Sequence, residues 1–264
     1  MAAHHSPLTQ FEVHTLYPLP SFHGVDLSLT NSSLFMVLAV LSIALFFGTA
    51  MRKGAMVPGR MQGLAEVIYE FAQTLVSENA GKKGLKYFPF IFTVFLFILT
   101  LNLLGMIPYG FAPTSHIIIT LGLGALAFCF VVLVAIIHQG PVNFIKHFVP
   151  AGLPLWIVPV IFCIELVTFL ARPFSLAIRL AANIGAGHTL MKVMAGFVMP
   201  GAVTVTSIAI GIFPLIFIIF MTGFEFFVAA LQAYVFALLA CLYLGEALAD
   251  HSDHDHFDEE HLSI

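Results

Sequence analysis

An all-α, polytopic membrane protein is predicted, with about five membrane-embedded helices and one amphipathic surface helix. Its last two helices are long and form an antiparallel hairpin. Three observations predict this. Of 264 residues, 60% are hydrophobic and only 9% charged, against about 45–50% and about 25% in soluble domains. Between Tyr87 and Ile145 there is no Asp, Glu, Lys or Arg. Apolar stretches also recur at the length of about 20 residues that a span requires. The three cysteines, Cys129, Cys163 and Cys241, lie in apolar runs. Their odd number and spacing fit neither a disulfide framework nor a metal motif, so they read as small core residues.

The elements follow in order. Residues 1–31 read as a polar N-terminal segment with Pro, His and Asp. It lacks the basic start and short apolar core of a signal peptide, which fits a bacterial or organelle-encoded chain. The first transmembrane helix is read at 32–51, closed by Arg52-Lys53. In 60–80, Met61, Leu64, Ile68, Phe71 and Leu75 form an apolar stripe, with Glu66, Glu70 and Gln73 off it. That pattern makes an amphipathic helix suited to a membrane surface or a partner. Two transmembrane helices occupy 88–138, at about 88–107 and 116–138. They are separated by "GMIPYGFAPTSH", whose two prolines and two glycines break the run. The hairpin covers 153–248 with a bend at "GFVMPGAV", and 249–264 is a polar acidic tail. The tail's His and Asp could take a divalent metal, but it reads as a solvated end.

Orientation comes from the basic residues. Arg52, Lys53, Arg60, Lys82, Lys83, Lys86 and Lys146 lie outside the terminal hairpin. With the N-terminus outside, all of them fall on the inner side, as the positive-inside rule expects. No inverted repeat of the kind found in many transporters is evident.

An ionised side chain at a bilayer centre costs roughly 2.5–3.5 kcal/mol on insertion scales, so each one is a functional candidate. Glu165, Arg172 and Arg179 follow at intervals of seven and share a helical face. Glu165 and Arg172 suit a structural ion pair as well as a functional role. Arg172 also precedes Pro173, which frees a carbonyl one turn back that the guanidinium can satisfy. Arg179 differs. Near it lie Ser175, Leu176, Ala182, Asn183 and Ala186, mostly small or amide-bearing residues that let another helix approach within a membrane. Arginine also keeps its charge where a buried lysine can lose it. The face therefore reads as a contact track carrying a permanent cation.

His188 lies nine residues further, on the opposite side of a regular helix and about 14 Å along it. Glu225 and Gln232 share a face of the last helix. With a hairpin apex near residue 206, Arg179 lies level with Gln232, and His188 with Glu225. Histidine titrates near neutral pH, so a His–Glu pair can hand on a proton. A satisfied buried ion pair is the alternative for the same two residues.

"RPFSLAIRLAANIGAGH" and "FEFFVAALQAYVFALLACLYLGEAL", together with "LNLLGMIPY" and "TSHIIIT", resemble subunit a of the F-type ATP synthase. The likeness is to its mitochondrial and alphaproteobacterial members, and it extends over essentially the whole membrane part. The resemblance implies that Arg179 is the family's essential arginine, facing a ring of c subunits, with Gln232 its neighbour. It implies that Ser175 and Asn183 line the half-channel toward the ATP-forming side, and that His188 and Glu225 belong to the opposite half-channel. Glu165 falls at a polar family position, with Arg172 beside it on the same path. The two long helices would lie strongly tilted around the ring. One departure stands out: where some bacterial members carry carboxylates after "LNLL", this chain has Gly105 and Gly110.

The implied function is proton translocation as a stator subunit, coupling proton flow to rotation and ATP synthesis without catalysis of its own. The implied partners are the c-subunit ring, b-type peripheral stalk subunits, other membrane-sector subunits, lipid and protons. The implied location is a mitochondrial inner membrane or a bacterial plasma membrane. No cofactor, metal or nucleic acid is expected, since the chain has no P-loop and "GAGH" is no dinucleotide fingerprint. The alternatives are a self-contained secondary ion transporter and a structural subunit of a respiratory complex.

Overall fold

The computed structural model describes residues 13–17, 28–52, 54–107, 110–141, 144, 156–198 and 205–248, with side chains from 212 onward in the last stretch. The acidic tail, Lys53, Lys146 and most of the bend expected at 196–203 lie outside the described residues. A small antiparallel ribbon, β1 (Thr15–Tyr17) with β2 (Leu29–Thr30), precedes the helices. It leads into α1 (Asn31–Ala50). Thr30 caps that helix reciprocally: Ser33 N donates to Thr30 Oγ1 at 3.3 Å, and Thr30 N donates to Ser33 Oγ at 2.9 Å. These bonds satisfy amide groups that a helix start otherwise leaves bare.

α2 (Arg60–Gly84) breaks at Gly81, where φ is 64°, a backbone region open to glycine at little cost. A 3₁₀ turn (Leu85–Tyr87) then feeds α3 (Phe88–Gly105), with Pro89 in its first turn. Proline suits that position because the amides there have no partner within the helix. A second 3₁₀ turn (Pro113–Ser115) starts α4 (Ile117–Gln139). The chain ends in α5 (Val158–Val198) and α6 (Val205–Leu248), of 41 and 44 residues. At 1.5 Å per residue each is roughly 60–65 Å long, about twice a bilayer's hydrocarbon thickness. Helices of that length must run obliquely or bend, and each contains an interior proline, Pro173 or Pro214.

Five helical stretches among the described residues are long and apolar enough to cross a membrane. One of them runs through both α2 and α3, and α3 supplies its apolar part. α6 is the hub, with α2, α3, α4 and α5 all packed on it. The reason is a stripe of small residues, Ala229, Ala233, Ala237 and Ala240, all buried. Small side chains let helices close in where lipid gives no hydrophobic drive to associate. Phe236, Cys241 and Leu244 fill the gaps against Ile98, Leu101 and Leu180, each nearly fully buried.

Two readings of the sequence need adjusting. On α2 the buried stripe is Ala65, Ala72, Leu75, Val76 and Ala80, while Met61 and Leu64 face outward and Phe71, partly exposed, packs on Phe95 and Tyr234. Alanine contributes little to hydropathy yet permits the closest approach to α6. The cysteines also divide: Cys241 is buried, whereas Cys129 and Cys163 are exposed on the outer surface of the bundle.

Candidate functional site

α5 sorts its residues by face. Leu176, Ala177, Leu180, Ala181 and Ile184 are buried against the bundle. Ser175, Ile178, Arg179, Ala182 and Ala186 are exposed. Leu176, expected beside Arg179 on the outer track, therefore belongs to the core. Arg179 itself stands on the open face, with no ion pair to any described residue. The face around it is small and apolar, as a surface meant for another helix would be.

His188 sits on the other side, where α5 meets α6. Its Nε2 lies 3.6 Å from Glu225 Oε1, with side-chain exposures of 12% and 5%. What admits the carboxylate is Gly187. A Cβ built on Gly187 would stand 2.6 Å from Glu225 Oε1 and 3.0 Å from its Cδ. No sequence motif announces that contact, because it depends on the register of the partner helix. Beside the pair is a cavity of about 170 Å³, lined by Asn183, Ala186, Gly187, Met221 and Glu225 among others. Asn183 is thus within reach of the same space as Glu225.

Gln232 is 4% exposed on the inner face of α6, and its Nε2 has no hydrogen-bond partner among the described residues. No hydrogen bond joins it to Arg179, although the two fall at corresponding levels of the hairpin. Asn102 of α3, fully buried, donates through Nδ2 to Ala229 O at 3.1 Å. That bond pins α3 to α6 between Glu225 and Gln232. Sequence pattern alone assigns Asn102 no role. Its signal was an amide alone in a charge-free helix.

Arg172 and Glu165 behave differently from expectation. No ion pair links them among the described residues. Instead Arg172 Nη1 donates to Glu246 Oε2 at 3.2 Å, with its guanidinium 4.6 Å from the Tyr243 ring centroid. Two turns of helix separate Glu165 from Arg172 by about 10 Å, a long reach for a carboxylate. The end of α6 brings Glu246 closer. Gln139 of α4 fastens the same end, its Nε2 donating to Glu246 O at 3.2 Å and Ala247 O at 2.9 Å.

The fold and these polar groups define a class: a polytopic helical membrane subunit whose terminal hairpin holds a bare cation on one side and an inward-facing His–Glu pair on the other. Residues 33–245 match the family described as ATP synthase A chain. Relatives named ATP synthase subunit a include one from Wolbachia sp. subsp. Brugia malayi, 46% identical over 92% of this chain and 98% of its own length. Another, from Ehrlichia canis, is 46% identical over 93% of this chain and 99% of its own. A third, from Parvibaculum lavamentivorans, is 47% identical over 92% and 93% respectively. The chain belongs to the ATP synthase A chain family, the proton-translocating membrane subunit of F-type ATP synthases. The five apolar helical stretches among the described residues and the bacterial relatives fit a multi-pass protein of an energy-transducing plasma membrane.

Proposed function

We propose that the hairpin of α5 and α6 forms two offset proton half-channels against a ring of c subunits, with Arg179 as their divider. One observation carries this reading: Arg179 is bare on the open face of α5, while half-buried His188 and buried Glu225 meet on its inner side, 3.6 Å apart. Nine residues, about 14 Å of helix, separate the two levels. The partner covering the open face presents carboxylates to it. Protonated, a carboxylate can face lipid; ionised, it cannot without a large cost.

A proton from the outer side reaches the His188–Glu225 pair and passes to a ring carboxylate, which becomes neutral and rotates into lipid. After nearly a full turn it meets the second half-channel, beside Ser175, and gives its proton up to water. The carboxylate is then an anion, and Arg179 attracts it. A protonated carboxyl draws no such attraction, and the guanidinium blocks direct passage between the two paths. Gln232 lies opposite as a neutral amide, and Glu165 and Arg172 line the exit side. Each charge crossing 100 mV supplies about 2.3 kcal/mol, so a leak past Arg179 dissipates the drive. A b-type stalk holding the subunit still against the ring completes the machine.

The test is Arg179→Ala in membrane vesicles containing the complete complex, with subunit content verified. ATP-driven proton pumping is expected to disappear while assembly persists. Normal pumping at normal assembly would make the arginine structural and end this reading.

A further inference from the structure

Buried side-chain atoms without a hydrogen-bond partner among the described residues include Asn102 Oδ1, Thr114 Oγ1, His116 Nε2, both Glu225 oxygens and Gln232 Nε2. They are grouped. The 3₁₀ turn before α4 packs on α3 and α5, and both of those pack on α6. Interiors leave few polar atoms unpaired, and ordered water commonly takes up the remainder.

Beside this turn is a groove of about 640 Å³, lined by Ser115, His116, Ala182, Gly185, Ala186 and Thr189 among others. Its wall shares Ala186 and Leu190 with the cavity that reaches Glu225. His116 stands where the groove meets the interior. Its ring stacks on Phe111, with centroids 5.3 Å apart and planes at 23°, which fixes the ring's orientation. From residue 88 to 137 the sequence has no Asp, Glu, Lys or Arg, and His116 is its one histidine. The neighbouring positions Gly105 and Gly110 offer no group of their own.

We propose that His116 is the outermost proton relay of the inlet path, taking protons from water in the groove and passing them inward to His188 and Glu225. This rests on the proton-path reading above. A groove water delivers a proton to one ring nitrogen, and the opposite nitrogen releases one to the next water inward. The ring regains its starting tautomer by exchange, so charge and proton count are unchanged. The elements packed around the turn contribute few other charges. α1 and α3 carry none, and α4 carries only His138 at its far end. α5 contributes His188 and Lys192, with Arg179 on the same face as the groove-lining Ala182 and Ala186, and α6 contributes Glu225.

The experiment compares wild type, His116→Ala and His116→Gln as complete complexes in proteoliposomes, driven by an imposed proton-motive force. ATP synthesis is read against the pH of the inlet side, with and without imidazole there. Both variants are expected to lose about tenfold in rate at an alkaline inlet, where proton capture limits, and less at an acidic one. Imidazole should restore most of the alanine variant's rate. Wild-type rates at an alkaline inlet overturn the proposal, as does a loss independent of inlet pH that imidazole leaves unchanged. Should His116→Ala assemble poorly, His116→Gln keeps the side-chain bulk and gives the same reading from its pH profile. Arg179→Ala run alongside separates the two ideas. If it still pumps, the proton-path reading fails; if it does not while the His116 variants keep wild-type rates, only the relay fails.

Discussion

At Gly187 a missing side chain sets the position of a carboxylate on the side of α5 away from the open face. A methyl group there would stand 2.6 Å from Glu225 Oε1, so the carboxylate would have to retreat by nearly 1 Å. Proton transfer depends steeply on such distances, and misplacement on this scale costs up to about 10²-fold. Gly187→Ala is therefore expected to reduce ATP-driven pumping about tenfold or more in a complex of normal subunit content; unchanged pumping would show that the carboxylate has room elsewhere. Some of this site was legible in advance. In a chain with so few charges, Arg179, His188 and Glu225 mark themselves, and the hairpin register brings the last two level. Gly187 and Asn102 were not legible, because a glycine's importance lies in what approaches it and an amide carries no charge to stand out. Glu246 as the partner of Arg172 depends on contacts 74 residues apart in sequence.

Among the elements, α2 shows how hydropathy misjudges packing. Met61 and Leu64 of the apparent stripe face outward, whereas the helix's alanines join Leu75 and Val76 in the buried face and the Phe71 ring reaches Tyr234 of α6. The closest point is Gly245 of α6, where an added Cβ would collide with the backbone carbonyl of Asn79. Backbone cannot swing aside as a long side chain can, and overpacking of this kind costs typically about 1–3 kcal/mol. Gly245→Ala should lower the thermal stability or yield of the complex while leaving pumping per assembled complex near normal. Gly122→Ala is the control, since nothing lies within 4 Å of its added methyl group. A stable Gly245→Ala complex would mean that α2 and α6 separate at little cost. The lengths of α5 and α6 were legible from unbroken apolar sequence, but their mutual phase came only with the packed bundle.

For the whole molecule, orientation follows from where the basic residues fall, and it can be read directly. In a background with the three native cysteines replaced by serine, Arg52→Cys should react with an impermeant thiol reagent only from the inner side. Ser115→Cys should react only from the outer side. Labelling of both from one side would invert or refold the proposed topology. The number and type of elements were legible because bilayer thickness dictates span length, whereas the β-ribbon before α1 is too short to leave a pattern. The bare guanidinium of Arg179 has a consequence for the life of the chain before it functions. While its face meets lipid, it carries a penalty of roughly 2.5–3.5 kcal/mol on insertion scales, relieved once a partner covers it. A newly made copy is thus less at ease in the membrane alone than in company. The charge proposed to divide two proton paths would thus make solitary subunits the ones a cell's proteases find first.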